Sequence, residues 1–213
     1  MYKTLICSLI LSNISAAIPA LAQDTIFQSE IEEIEVFSVS RRSQGLDDVN
    51  AAVSILSADE LSLVAQTHYQ ESLNRLPDVN IHRNNGQESL VAIRSPVLTG
   101  AGACGSFLIA ENGIPLRSNG FCNVNEMFDA HTENAEQIEV VRGPSSAFWG
   151  ANAVHGMINV LLPSPGEAGR LRLEAGPRGS YRVQGEIGEG EGDFKQSLLV
   201  TGVSEDGYLE YSR

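Results

Sequence analysis

The residues whose types and spacing could do chemistry begin with Gly100, Gly102 and Gly105 in "LTGAGACGSFLI", which match the spacing of a dinucleotide-binding loop. Such a loop works because it follows a strand and opens a helix, whose N-terminal N–H groups hold the pyrophosphate. Here the glycines run instead into "SFLIAENGIPL", which alternates and then meets Asn112-Gly113, a strong hairpin signal. A strand and a turn are therefore expected where the cofactor would need a helix. Ser145-Ser146, beside Pro144, has neither a nucleophile elbow nor a spacing that nominates a base. His68, His82, His131 and His155 show no metal-ligand spacing. The reading is of a chain with no catalytic residues, no metal site and no cofactor, whose glycine loop lets backbone approach a ligand closely.

Cys104 sits in that loop, and its chemistry depends on compartment. The N-terminus "MYKTLICSLILSNISAAIPALAQ" has Lys3, an apolar stretch and then Ala20-Leu21-Ala22, the small-x-small pattern of a signal-peptidase site. Cleavage after Ala22 removes Cys7 and leaves Cys104 and Cys122 as an even pair in an oxidising compartment, where a disulfide is expected. The bridge would close a hairpin-bearing segment and stabilise it by about 3 kcal/mol in the chain-entropy model.

A formal charge of −13 argues against nucleic acid as a partner. Beyond the signal no apolar run reaches the length of a spanning helix, which excludes a helical membrane protein.

The elements that must position these residues fall into three zones. Residues 24–44 lack glycine and proline, and alternate acidic with β-branched residues around "EIEVFSV". This pattern fits either an ordinary first strand or a segment that adds as a strand to a partner's sheet. Residues 46–162 read as an α+β domain. Ser57 and Glu60 form a capping box that opens a helix in "SADELSLVAQ", and "QESLNRL" gives a second, ended by Pro77. Strands are expected at "DVNIHR", "SLVAIR", "SFLIAEN", "GIPL", "QIEVVRG" and "GMINVLL", with helical turns at "NEMFDA" and "SSAFWG". From about Gly169, "RLRLEAG", "YRVQGEIG", "FKQSLLVTGV" and "YLEYS" alternate and are separated by turn clusters. Half-buried soluble hairpins and membrane-barrel strands both produce such a meander, and four strands are too few to close a barrel.

The runs "LPDVNIHRNNGQESLVAIRS", "FLIAENGIPLR" and "AEQIEVVRGPSSAFWGANAVHGMINVLLP" resemble the plug domain of TonB-dependent outer-membrane receptors. The last run carries the family's I-E-V-x-R-G-P core, an aromatic-Gly turn and a Gly-hydrophobic-Ile-Asn strand, in that order. The resemblance implies a signal peptide over 1–22, a flexible N-terminal segment over 23–45, a plug domain over 46–165 and the start of a β-barrel over 166–213. The fold class it implies is an α+β plug, a mixed sheet with short helices, followed by antiparallel strands that begin an outer-membrane barrel. Glu33, Ile34, Glu35, Val36, Phe37 and Ser38 stand where the family carries its TonB box, although Phe37 departs from the small or β-branched residue expected there. The box implies a partner, the TonB energy-coupling protein of the inner membrane. Arg94 matches the arginine of I-R-G, with Ser95 in place of the glycine, and Arg142 that of R-G-P; in the family these arginines contact the barrel. Pro96, Thr99, Gly100, Gly102, Arg117, Asn119, Phe121 and Asn123 fall in loops that would face a small-molecule ligand. A ferric siderophore is the leading metal chelate, with cobalamin, haem, nickel complexes and oligosaccharides as alternatives. The implied place is the outer membrane, its lipid met by the barrel, with the plug facing the periplasm. A plug-like periplasmic module without a barrel is the alternative class.

Overall fold

The computed structural model describes residues 34–83, 88–94, 107–116, 126–145, 147–166 and 169–206. The signal segment, Glu33, Cys104, Cys122, the expected ligand-side residues from Pro96 to Gly102 and from Arg117 to Asn123, and the strand "YLEYS" lie outside them.

In chain order the first strands are β1 (Glu35–Val36), β2 (Gln44–Gly45) and β3 (Val53–Ser57). Helices α1 (Ala58–Val64) and α2 (Gln70–Leu73) follow. Strands β4 (Val79–Arg83), β5 (Ser89–Ile93), β6 (Phe107–Glu111), β7 (Ile114–Pro115), β8 (Gln137–Arg142) and β9 (Gly156–Leu161) complete the mixed part. Three longer strands, β10 (Arg170–Gly176), β11 (Ser180–Glu191) and β12 (Phe194–Ser204), end the described chain.

The central sheet has the order β3-β8-β9-β6-β7, with β6 and β9 parallel and the other pairs antiparallel. Its three inner strands, β8, β9 and β6, bury both faces, which is why "FLIAE" and "GMINVL" read as nearly continuous apolar runs. Phe107, Ile109, Ile138, Val140, Ile158 and Val160 point to one face, where α1, α2, β4 and β5 contribute Leu61, Leu73, Val79, Ile81 and Ile93, with Tyr69 just before α2. Leu108, Ala110, Val141 and Met157 point to the other, where Trp149 and Ala153 cover them together with Phe37 and Val39. The hairpin signal holds: Asn112 and Gly113 both take positive φ, 48° and 73°, between β6 and β7.

The capping box forms as expected, Ser57 bonding Glu60 N while Glu60 bonds the Ser57 backbone. Strand β3 is an addition to the sequence reading. "VSILS" runs straight into α1, Ser57 serving both as last strand residue and N-cap, and only Leu56 of the five is buried, so no clean alternation marks it. The expected helical turn at "SSAFWG" is a plain turn over Ala147–Trp149, and the 3-10 turn comes later, at Ala151–Ala153.

Strands β10, β11 and β12 form an antiparallel sheet with an inverted polarity. Leu171, Leu173, Tyr181, Val183, Ile187, Leu198 and Val200 share one face and are exposed. The opposite, polar face packs on the mixed domain: Arg182 Nη1 donates to Ala65 O, Gln184 Nε2 to Glu133 O, and Asn134 Nδ2 to Thr201 Oγ1. A soluble meander would turn its apolar face inward. The alternation visible in the sequence is therefore real, but the side it buries is the polar one.

Candidate functional site

Two neighbourhoods collect the residues singled out from the sequence. The first is the N-terminal segment. Residues 34–45, expected as part of a flexible segment, are docked on the second face of the central sheet. Strand β1 pairs with β2, Val36 opposite Gln44, and Leu46 N closes the loop onto Ile34 O. Val36 is 1% exposed and Ser38 is fully buried, whereas Ile34 and Glu35 face solvent.

The reason for docking lies about a hundred residues downstream. Glu139, in the middle of β8 and fully buried, accepts Phe37 N through Oε1 and Ser38 N through Oε2, at 2.9 and 2.7 Å. Gln137, two residues earlier on the same face, donates through Nε2 to Glu35 O at 3.0 Å and to Glu139 Oε1 at 2.9 Å. Trp149 Nε1 donates to Ser38 O at 2.6 Å. Arg41 lies over the Trp149 ring, 4.5 Å from its centroid, and donates through Nη2 to Gly113 O. A buried charged side chain must be supplied with partners, and here the segment's own backbone supplies them. Directly opposite Glu139 on β9 stands Asn159, buried, whose Oδ1 accepts Gly113 N at 3.0 Å. Arg41 thus ties the N-terminal segment to the β6–β7 hairpin, whose Gly113 is also held by Asn159.

Glu139, Gln137, Trp149 and Asn159 all fall inside the motif run "AEQIEVVRGPSSAFWGANAVHGMINVLLP", but the sequence reading gave none of them a role. The signal was available in part: a glutamate inside "QIEVVR" and an asparagine inside "GMINVLL" are polar residues in strands too apolar to be exposed, and each therefore requires a partner. Which backbone they serve is a matter of tertiary placement.

The second neighbourhood holds the two arginines. Arg94, at the end of β5, and Arg142, the last residue of β8, meet at Asp78, just before β4. Arg94 Nε and Arg142 Nη1 both reach Asp78 Oδ2, at 3.0 and 3.3 Å, and Arg94 Nη1 donates to Arg142 O. Arg142 is mostly covered, while Arg94 and Asp78 are about half exposed. Asp78 is a further residue that pattern reading missed. The loop residues expected at a ligand, and the two cysteines, fall outside the described residues; the strand expected after the glycine loop, β6, does form, from Phe107.

Residues 45–157 match the TonB-dependent receptor plug domain. The vitamin B12 transporter BtuB of Photobacterium profundum is 24% identical over 164 residues, which are 76% of this chain and 26% of that relative. Among solved structures, the ferric yersiniabactin uptake receptor FyuA of Yersinia pestis superposes with a TM-score of 0.54 at 24% identity, over 71% of this chain and 24% of that one. The alcaligin outer-membrane receptor FauA of Bordetella pertussis gives 0.62 at 14% identity, over 81% and 29%. At such identities the structures attest the fold alone. The chain spans about a quarter of the length of these relatives. With residues 45–157, more than half of the chain, so matched, the chain belongs to the TonB-dependent receptor plug-domain family.

Proposed function

We propose that this chain is the plug and first barrel strands of an outer-membrane receptor that takes up a scarce nutrient with energy supplied by TonB. The observation that carries the reading beyond the family is the inverted sheet. Leu171, Leu173, Val183, Ile187, Leu198 and Val200 are exposed together while Arg182 and Gln184 bond the plug, which suits strands with lipid outside and a plug inside. A barrel-less periplasmic module would gain nothing from that arrangement.

In this reading no covalent chemistry occurs. A ligand binds loops containing Pro96, Thr99, Gly100, Gly102, Arg117, Asn119, Phe121 and Asn123, held side by side by a Cys104–Cys122 disulfide. Residues 33–38 are the TonB box and add as a strand to TonB. Arg94 and Arg142 face the barrel and pair with its carboxylates. The ligand is a ferric siderophore, a reading supported by the ferric yersiniabactin uptake receptor FyuA and the siderophore receptor PiuA among the structural relatives. Export follows the signal peptide over residues 1–22.

The test is uptake by the full-length receptor in cells that lack their own siderophore receptors, supplied with a panel of radiolabelled ferric siderophores and with cobalamin. Accumulation of a ferric siderophore that disappears when TonB is deleted supports the proposal. Uptake independent of TonB, or recovery of the protein from the soluble periplasm, overturns it; accumulation of cobalamin alone replaces the ligand and keeps the class.

A further inference from the structure

Asp78 stands at φ 63°, and the residue it binds through both backbone and side chain, Arg94, stands at φ 51°. Left-handed backbone costs an ordinary residue about 1–2 kcal/mol and favours glycine; aspartate tolerates it better than arginine does. Two neighbouring positions where glycine would fit the backbone are thus filled by a cation and an anion, and their side chains are where the geometry gains something. Arg94 N donates to Asp78 O at 2.9 Å, tying the end of β5 to the start of β4. The Asp78 carboxylate then gathers Arg94 Nε and Arg142 Nη1 on one oxygen, Oδ2. Two guanidinium groups held this close repel unless an anion lies between them. The Arg142 side chain is only 17% exposed, so its charge has less water around it than that of Arg94 and depends more on this anion.

We propose that Asp78 is a positioning residue for the arginine pair: its carboxylate binds Arg94 and Arg142 into one unit and fixes the direction in which their remaining donors point. The proposal deepens, and rests for its purpose on, the reading that these arginines face the barrel. The bridge itself is a property of the described residues. It predicts that the carboxylate matters and the backbone turn does not, because both asparagine and glycine accept the left-handed conformation of residue 78.

The experiment is arginine modification by phenylglyoxal, mapped by mass spectrometry, on the full-length receptor in outer-membrane preparations. Asp78→Asn and Asp78→Gly are compared with the parent, and Arg75, three residues before Asp78 and bonded to Glu71 O instead, is the internal control. Both variants are expected to raise labelling of Arg94 and Arg142 at least three-fold and to leave Arg75 unchanged. Labelling of the pair that stays at the parental level in either variant overturns the proposal, as does an equal rise at Arg75, which would make Asp78 a general support of the fold. Energy-coupled uptake measured on the same variants separates the two ideas. Raised labelling with full uptake keeps the bridge and removes the assignment of the arginines to the barrel seam.

Discussion

Glu139 and Ser38, 101 positions apart, are joined by a 2.7 Å hydrogen bond from the Ser38 main-chain N–H to a carboxylate oxygen with no solvent exposure. The same carboxylate takes Phe37 N. Hydrogen bonds to a charged group contribute about 1.5–3 kcal/mol each, so this pair is the strongest polar tie on the N-terminal segment. Glu139→Gln replaces one acceptor by an N–H donor facing N–H donors. Hydrogen exchange in the full-length receptor should then show the amides of residues 36–39 exchanging about 10-fold faster or more, with β6 and β9 unchanged. Parental exchange rates in the variant would mean that the packing of Val36 and Phe37 alone holds the segment.

Gly113 adds a second, steric condition. A Cβ built there falls 2.6 Å from Phe37 Cε1, and the residue's φ of 73° already disfavours any side chain. Gly113→Ala should lower stability by about 1–2 kcal/mol from backbone strain and push the Phe37 ring off the sheet. In a double-mutant cycle with Phe37→Ala, the two losses should sum to more than the loss in the double variant, because removing the ring removes the clash but leaves the strain. Strict additivity in thermal unfolding would show that ring and glycine do not meet.

What the sequence reveals here is local chemistry. Ser57 with Glu60, Asn112 with Gly113 and the alternation from Arg170 to Ser204 each state their element within a few residues, and each element forms. The motif residues Arg94 and Arg142 were visible for the same reason. What stayed hidden depends on distant partners. No window of sequence links Glu139 to Phe37 and Ser38, or Asp78 to Arg94 and Arg142, since the separations are 102, 101, 16 and 64 positions. The segment "EIEVFSV" reads as loose because its own apolar area is small; it docks because a buried glutamate and Trp149, both from later in the chain, supply what it lacks. The direction of the β10–β12 faces was hidden likewise, for alternation fixes that two faces differ and not which one is turned inward.

Tyr69 supplies a pH-dependent term. Its hydroxyl and Ser89 Oγ lie 2.6 Å apart, both side chains being buried, and burial pushes the phenol above its ordinary value of 10.0. A phenol whose folded pKa is raised holds its proton more tightly in the folded state. Its contribution is therefore fully present below pH 10 and is lost as pH rises from there through the folded value. Tyr69→Phe should cost about 1 kcal/mol at neutral pH, by leaving Ser89 short of a partner, and should flatten the fall in stability above pH 10. Denaturant unfolding between pH 8 and 11 that gives parallel curves for the parent and the variant would exclude Tyr69 as the group responsible.

Val36 has two roles to satisfy if residues 33–38 are the TonB box. Docked, its side chain is 1% exposed and its backbone pairs with Gln44; captured, its backbone must pair with a strand of TonB. Alanine deletes buried methyl groups and weakens docking by about 1–2 kcal/mol, yet leaves every main-chain hydrogen bond available to the partner. Proline also removes the N–H and cannot serve in the interior of a ladder. The two substitutions should consequently part company. Val36→Ala is expected to bind the purified periplasmic domain of TonB as well as the parent or several-fold better, because less is lost on leaving the sheet, and to transport. Val36→Pro is expected to lose capture and uptake while ligand binding to the full-length receptor survives. Equal losses from both would show that the partner reads the valine side chain, and unchanged capture with proline would remove residues 33–38 from the role of box altogether.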